Sequence, residues 1–276
     1  MSTLREAWLT HIDPDDYEKH MAAAGQAQAN ASLLDEFFRN TPPPAGSRIL
    51  FAGAGTGQIF DYMRAEVLAP YDVIFADINP VYLARLTART QTIQRKIVVD
   101  DLENPALRGP FDLIVAILVL EHVDWRRAVA GLCQRSEGCI FTVIQQTPEG
   151  QHPTAEPVGT MSILHELRPQ AIDPGQLAAE FRLHGFSPHH SAARSVAGNK
   201  SMLALEFRWS PPPRAKIAPH ASLALRIRRA RGAVHGRTYR RDGIGPDRLL
   251  CRQRRATGAH GSGVARTGFL RVNAGV

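Results

Sequence analysis

A short apolar run, Ile49-Leu50-Phe51-Ala52, breaks off into Gly53-Ala54-Gly55-Thr56-Gly57-Gln58. A buried strand that ends in closely spaced glycines must turn tightly, and its backbone can approach a ligand closely. A helix predicted over 57–69 follows, and its free N–H groups and positive dipole end would face that ligand. The next apolar run, Val73-Ile74-Phe75-Ala76, ends in Asp77, 20 residues after Gly57. At the tip of the second strand of a βαβ unit, an acidic residue is placed to accept hydrogen bonds from ribose hydroxyls. The alternative for Asp77 is a helix N-cap ahead of Pro80.

The same rhythm continues along the chain. Apolar runs at Arg48–Ala52, Asp72–Ala76, Lys96–Val99, Phe111–Ile117 and Cys139–Ile144 predict strands. They are nearly continuous rather than alternating, as in a parallel sheet covered on both faces. Helical spacing predicts helices over 14–40, 79–90, 124–135 and 173–184, with Asp124 capping the third and Gly185 stopping the last. Residues 145–170, rich in Pro, His, Gly and Thr, read as a long loop or lid. Ser187–Val196 and Lys200–Trp209 flank Ala197-Gly198-Asn199, a hairpin signal. The expected fold class is α/β: a doubly wound sheet of seven strands, helices on both faces, closed by a C-terminal antiparallel hairpin. The expected organisation is a helical cap and linker over 1–45, a core over 46–210 and a basic tail over 211–276.

Two cofactor classes carry a ribose at such a site. The dinucleotide fingerprint requires a small residue three places after its second glycine. Counted from Gly53 that place is Gln58, and counted from Gly55 it is Phe60, so neither register satisfies it. GxGxG resembles instead the first motif of the class I S-adenosylmethionine-dependent methyltransferases, whose Rossmann-like sheet has the architecture predicted above. Asp77 matches their acidic ribose-binding residue. Val98-Val99-Asp100-Asp101-Leu102 is similar to their third motif, in which Asp101 would accept from the adenine amine and Leu102 would pack on the ring. Phe111 to Val123, with its Leu120-Glu121-His122 turn, resembles the fourth strand of the small-molecule, quinone-methyltransferase-like branch. The resemblance covers roughly residues 30–209.

The resemblance implies S-adenosylmethionine as cofactor. It implies cofactor-binding positions at Ala52, Gly53, Gly55, Thr56, Gly57, Gln58, Asp77, Ile78, Asn79, Asp100, Asp101, Leu102, Ala116 and Ile117. A small-molecule acceptor, with O, N or C as the methylated atom, is the implied partner. Methyl transfer is an in-line displacement, so holding the acceptor in place matters most. A base helps when the acceptor must lose a proton, and His122, just past the fourth strand, is the candidate. Otherwise Glu121 and His122 merely shape the turn. Tyr17, His20 and Gln26 fall on the first helix, where they either cover the cofactor or serve an ordinary amphipathic face. His152, His165, His184, His189 and His190 lack tight ligand spacing, so no metal is expected.

Charge divides the chain. Residues 211–276 hold 15 basic and 2 acidic residues, a net +13, whereas residues 1–210 carry a net −6. Such a tail binds phosphate backbones non-specifically. It reads as a solvated disordered segment, an RNA-tethering arm, or the product of a GC-rich gene read out of frame. The sequence around Ala116-Ile117-Leu118-Val119 lacks the signature of base-methylating enzymes, so a nucleic-acid acceptor is not expected. Alternatives to the methyltransferase are an NAD(P)-dependent oxidoreductase and a non-catalytic cofactor-binding module tethering nucleic acid through its tail. Apolar runs reach eight residues at Leu113–Leu120, too short to span a bilayer. Cys133, Cys139 and Cys251 form no CxxC pair, so a reducing cytoplasm is the expected setting.

Overall fold

The computed structural model describes residues 3–148 and 159–210. Helix α1 (Leu4–Glu6) runs into a π-helical turn, Ala7–His11. Helix α2 (Pro14–Ala23) starts from Asp13, whose side chain caps it with Pro14 in its first turn. Then come α3 (Gln26–Asn40), β1 (Arg48–Ala52), β2 (Asp72–Asp77), α4 (Pro80–Arg89), β3 (Arg95–Val99) and β4 (Phe111–Ile117). They are followed by α5 (Trp125–Arg135), β5 (Ser136–Gln146), α6 (Ile163–Leu167), α7 (Pro174–Leu183), β6 (Phe186–Val196) and β7 (Lys200–Trp209).

The seven strands form one sheet in the order β3-β2-β1-β4-β5-β7-β6. Strands β1 to β5 pair in parallel, and β7 inserts antiparallel between β5 and β6. This is the expected doubly wound architecture with its closing hairpin. Neighbouring residues of one strand feed opposite faces. Ile49 and Phe51 join Val73, Phe75 and the α3 residues Leu33, Leu34 and Phe37. Leu50 joins Ile74, Ile114 and Ile140, with Val129 and Leu132 from α5 and Leu177 and Phe181 from α7. Burial on both faces explains why the strands read as unbroken apolar runs.

Several local expectations are corrected. The helix over 14–40 is two helices, because Gly25 takes a left-handed φ of +70° and turns the chain between α2 and α3. No α-helix follows the glycine turn: residues 57–69 form two 3₁₀ turns, Gln58–Asp61 and Ala65–Leu68. Gly57 enters the first with a φ of +73°, and Arg64 between them is extended. The helix-dipole contribution expected there is therefore absent. Residues 145–170 are not a plain loop: β5 extends to Gln146, and Gly159–Ser162 forms a 3₁₀ turn leading into α6. Residues 149–158, including His152, and the basic tail over 211–276, including Cys251, lie outside the described residues.

A third apolar cluster stands apart from the sheet. Ala7 and Ile12 from the N-terminal segment meet Tyr82 of α4 and Met161 and Leu164 of the 159–167 segment. Polar contacts reinforce it: Asp13 N donates to Thr160 Oγ1 (2.9 Å), and Thr160 N donates to Asp16 Oδ2 (2.8 Å). The Thr160 bonds hold the Asp16 carboxyl below its ordinary range. The chain's beginning and the segment after β5 thus form one cover over the carboxyl ends of the strands.

Candidate active site

Beneath this cover lies a cleft with an empty volume of about 1160 Å³, its open mouth included. It sits at the carboxyl ends of the strands where the strand order switches between β1 and β4, the place at which open α/β sheets bind ligands. Gly53 and Gly55 line it, both with positive φ. A Cβ on Gly53 would stand 2.4 Å from Val119 Cγ2, so the turn and the β4 loop approach as closely as glycine permits. The β4 exit is unusual too: Leu118 adopts a φ of +52° and donates its amide to Val143 O at 2.8 Å. A non-glycine residue in that region is a mark of functional sites.

Asp77 ends β2 inside the cleft. Its Oδ2 accepts from Gly55 N (2.8 Å) and its Oδ1 from Asn79 N (2.9 Å). Burial pushes its carboxyl up, opposed by the amides of Asn79, Gly55 and Ile78. Asp77 is not the helix cap; that role belongs to Asn79, whose Oδ1 accepts from Val81 N (2.9 Å). Asp101 is placed across the cleft and is bound by Arg5, Nε to Oδ2 at 2.9 Å. Partial burial works against the Asp101 charge, yet Arg5 and the Glu103 amide hold its carboxyl below the ordinary range.

Of the residues singled out in the sequence, Gly53, Gly55, Asp77, Ile78, Asp100, Asp101, Leu102, Ile117 and His122 line one cleft. Others stand behind it. Ala52 and Ala116 are core residues. Thr56 is buried, Gly57 abuts Leu86, and Gln58 Nε2 donates to Glu18 O at 3.0 Å. Asn79 Nδ2 donates to Trp8 O at 2.9 Å, so it braces the cover. Tyr17, His20 and Gln26 also reach the cleft. Among the described residues no group of His, Cys, Asp and Glu is arranged to hold a metal ion.

Arg5, Trp8, Tyr82, Glu121, Gln145, Met161 and Leu164 line the cleft without having been chosen from the sequence as site residues. Glu121 and His122 lie on a 3₁₀ turn, Leu120–His122, that follows β4. Glu121 Oε1 accepts from Gln145 N at 2.7 Å, and burial pushes its carboxyl up to about 7. Burial pushes the His122 imidazole down to about 4, and the Trp8 ring stands 4.8 Å from it, edge to face. A signal for Glu121 existed, since it adjoins His122 in the turn after β4; for Arg5 and Trp8 there was none.

The model of the methyltransferase domain family matches residues 17–190, more than half of the chain. A malonyl-[acyl-carrier protein] O-methyltransferase of Magnetococcus marinus is 31% identical over 105 residues, 37% of this chain and 38% of that protein. The match thus spans less than two-fifths of that curated relative. The magnesium protoporphyrin IX methyltransferase of Synechocystis PCC 6803, solved with bound SAH, superposes with a TM-score of 0.57 at 15% identity, covering 71% of this chain and 93% of that one. A Haemonchus contortus N-methyltransferase, in complex with phosphomonomethylethanolamine and S-adenosylhomocysteine, gives a TM-score of 0.56 at 12% identity, covering 77% and 61%. With a class I sheet order, a glycine turn facing a buried Asp77 and a family match over most of the core, the chain belongs to the methyltransferase domain family and is an enzyme of that class.

Proposed function

We propose that the cleft binds S-adenosylmethionine and that the enzyme transfers its methyl group to a small molecule. The carrying observation is the Asp77 carboxylate, buried at the tip of β2 and held 2.8 Å from the Gly55 amide. The residues fit the cofactor. The Asp77 carboxylate is held by the amides of Gly55, Asn79 and Ile78, and with about four acceptor sites on its two oxygens it retains capacity for a ribose hydroxyl. Gly53 and Gly55 present backbone where side chains would block entry. Asp101 and Leu102 line the cleft, where Asp101 would accept from the adenine amine and Leu102 would pack on the ring. When bound, the cofactor supplies an electrophilic methyl group on a sulfonium.

The protein holds the acceptor beside that group and keeps water out. The cover formed by Trp8, Tyr17, Met161 and Leu164 does the latter. His122 is the candidate catalytic residue: its Nδ1 is buried and without a partner among the described residues. Neutral above about pH 4, it contributes a hydrogen bond to the acceptor rather than a stored charge. In this reading residues 1–45 are the cap, 46–210 the catalytic core, and 211–276 a dispensable tail with no role in acceptor choice. No described helix is long and apolar enough to cross a membrane. The unpaired Cys133 and Cys139 suit a reducing, cytoplasmic setting.

Calorimetric titration with S-adenosylmethionine, SAH and NAD tests the assignment. SAH should bind and NAD should not. Asp77→Ala should weaken SAH by about 1–3 kcal/mol, the cost of leaving hydrogen-bonding groups unpaired in a buried site. NAD binding without SAH binding overturns the cofactor; an unchanged SAH affinity in a folded Asp77→Ala variant removes Asp77 from the site.

A further inference from the structure

Three buried polar atoms of cleft-lining residues have no hydrogen-bond partner among the described residues: Trp8 Nε1, Glu121 Oε2 and His122 Nδ1. Buried polar atoms are nearly always paired, so three in one cleft mark where a ligand's polar group belongs. The Glu121 carboxyl is also firmly placed. Its Oε1 is engaged by Gln145 N, and its own carbonyl accepts from Gln170 N at 2.8 Å. Gln145 is steadied in turn by Gln26 Nε2, which donates to its Oε1 at 2.7 Å. What remains unengaged is Oε2.

The charge of the cleft narrows the ligand further. Asp77, Asp100, Asp101 and Glu103 line it together with Glu121. The lining arginine is Arg5, and Asp101 engages it. His20 reaches the cleft from α2, but burial lowers its pKa, as do Lys200 and His165 nearby. A carboxylate or phosphate acceptor therefore finds no unengaged arginine or lysine among the cleft-lining residues. Met21, Ile117, Val123 and Pro169 supply apolar wall.

We propose that the cleft takes a neutral or cationic acceptor, an O–H or N–H group on an apolar body, and that Glu121 Oε2 receives the proton this group loses. The inference rests on the cofactor reading above. The acceptor's O–H or N–H bond breaks, and its electron pair forms the bond to the methyl carbon. The proton goes to Glu121, and the carbon–sulfur bonding pair stays with the sulfur. Glu121 is suited to this because burial sets it at about 7, near the working pH of a general base. His122, at about 4, releases a proton too readily to store it. Trp8 Nε1 can only donate, so it meets a lone pair of an oxygen acceptor or of an amine once deprotonated.

The test uses the full chain with S-adenosylmethionine and three truncated acceptors: phenol, benzylamine and benzoate. SAH formation is followed from pH 5.5 to 9. Phenol or benzylamine should be methylated and benzoate not, with kcat rising through about pH 7. Glu121→Gln keeps an oxygen for the Gln145 amide. It should lower kcat about 10²–10⁴-fold, flatten the pH profile and leave SAH affinity unchanged. Turnover of benzoate alone, no turnover of any probe by protein that binds SAH, or a wild-type profile in Glu121→Gln overturns the proposal. Failure of the wild type to bind SAH would overturn the cofactor reading instead.

Discussion

Arg5 Nε lies 2.9 Å from Asp101 Oδ2, so the N-terminal segment is pinned to the acidic residue assigned to the adenine amine. The two are 47% and 16% exposed, and a pair of this exposure contributes about 0.2–1 kcal/mol. Binding of the cofactor must share or break it. Arg5→Ala should therefore tighten SAH by up to about 1 kcal/mol at low salt. The wild type should approach the variant at 0.5 M NaCl, where the pair is screened. Calorimetry at two salt concentrations checks this. Weaker binding by the variant would show that Arg5 itself holds the ligand.

Gly53 should tolerate no side chain. Its φ is +70°, and a Cβ would stand 2.8 Å from Val119 Cβ as well as 2.4 Å from Cγ2. Val119 cannot swing away without moving the turn after β4. Gly53→Ala should cost about 1–3 kcal/mol in stability from overpacking and left-handed strain. It should also reduce SAH affinity, because Gly53 lines the cleft. Urea denaturation and calorimetry on one preparation read both; wild-type values for each would mean that the turn is slack.

Arg89 ties the cover to the glycine turn. From α4 it forms a two-pronged bond to Glu18 of α2 (2.7 and 2.9 Å), reaches Thr56 O (3.0 Å) and pairs with Asp61 (2.9 Å). Hydrogen bonds to charged groups contribute about 1.5–3 kcal/mol. Arg89→Met keeps the apolar stem and removes the fork, so it should destabilise by about that amount. The urea midpoint should fall with the denaturant slope unchanged. Trypsin should cut the N-terminal segment faster in the variant; equal cutting rates would mean that the apolar cluster around Tyr82 holds the cover alone.

Glu121 and His122 should tilt stability against pH in opposite directions. Glu121 moves from its ordinary 4.5 to about 7, so its contribution is complete below pH 4.5 and lost as pH rises to 7. His122 moves from 6.5 to about 4, so its contribution is complete above pH 6.5 and lost as pH falls to 4. Each amounts to about 3 kcal/mol over its window, and the two cancel between pH 4.5 and 6.5. With only the His122 contribution left, Glu121→Gln should lose stability as pH falls from 6.5 to 4. His122→Asn should lose it as pH rises from 4.5 to 7. Urea midpoints at four pH values decide the matter; parallel profiles for all three proteins would rule out the burial described here.

What the sequence determined by itself is what depends on near neighbours. Leu50 faces one side of the sheet and Phe51 the other, and both faces are covered, so β1 was legible as an unbroken apolar run. The Gly53–Gly57 turn, the Asn79-Pro80 start of α4 and the Ala197-Gly198-Asn199 hairpin were legible because backbone sterics act within a few residues. The predicted helix over 57–69 failed because Phe60, Met63 and Leu68 are drawn separately into the core around Phe75. Tertiary packing there overrode helical spacing. The cover was invisible for a different reason: Trp8, Tyr82 and Met161 meet from three distant parts of the chain, and no periodicity links them. The properties of Glu121 and His122 likewise belong to the folded state. Their turn was legible from β4, but their pKa values follow from desolvation by Trp8, Gln145 and the rest of the cleft, which only the tertiary structure brings together.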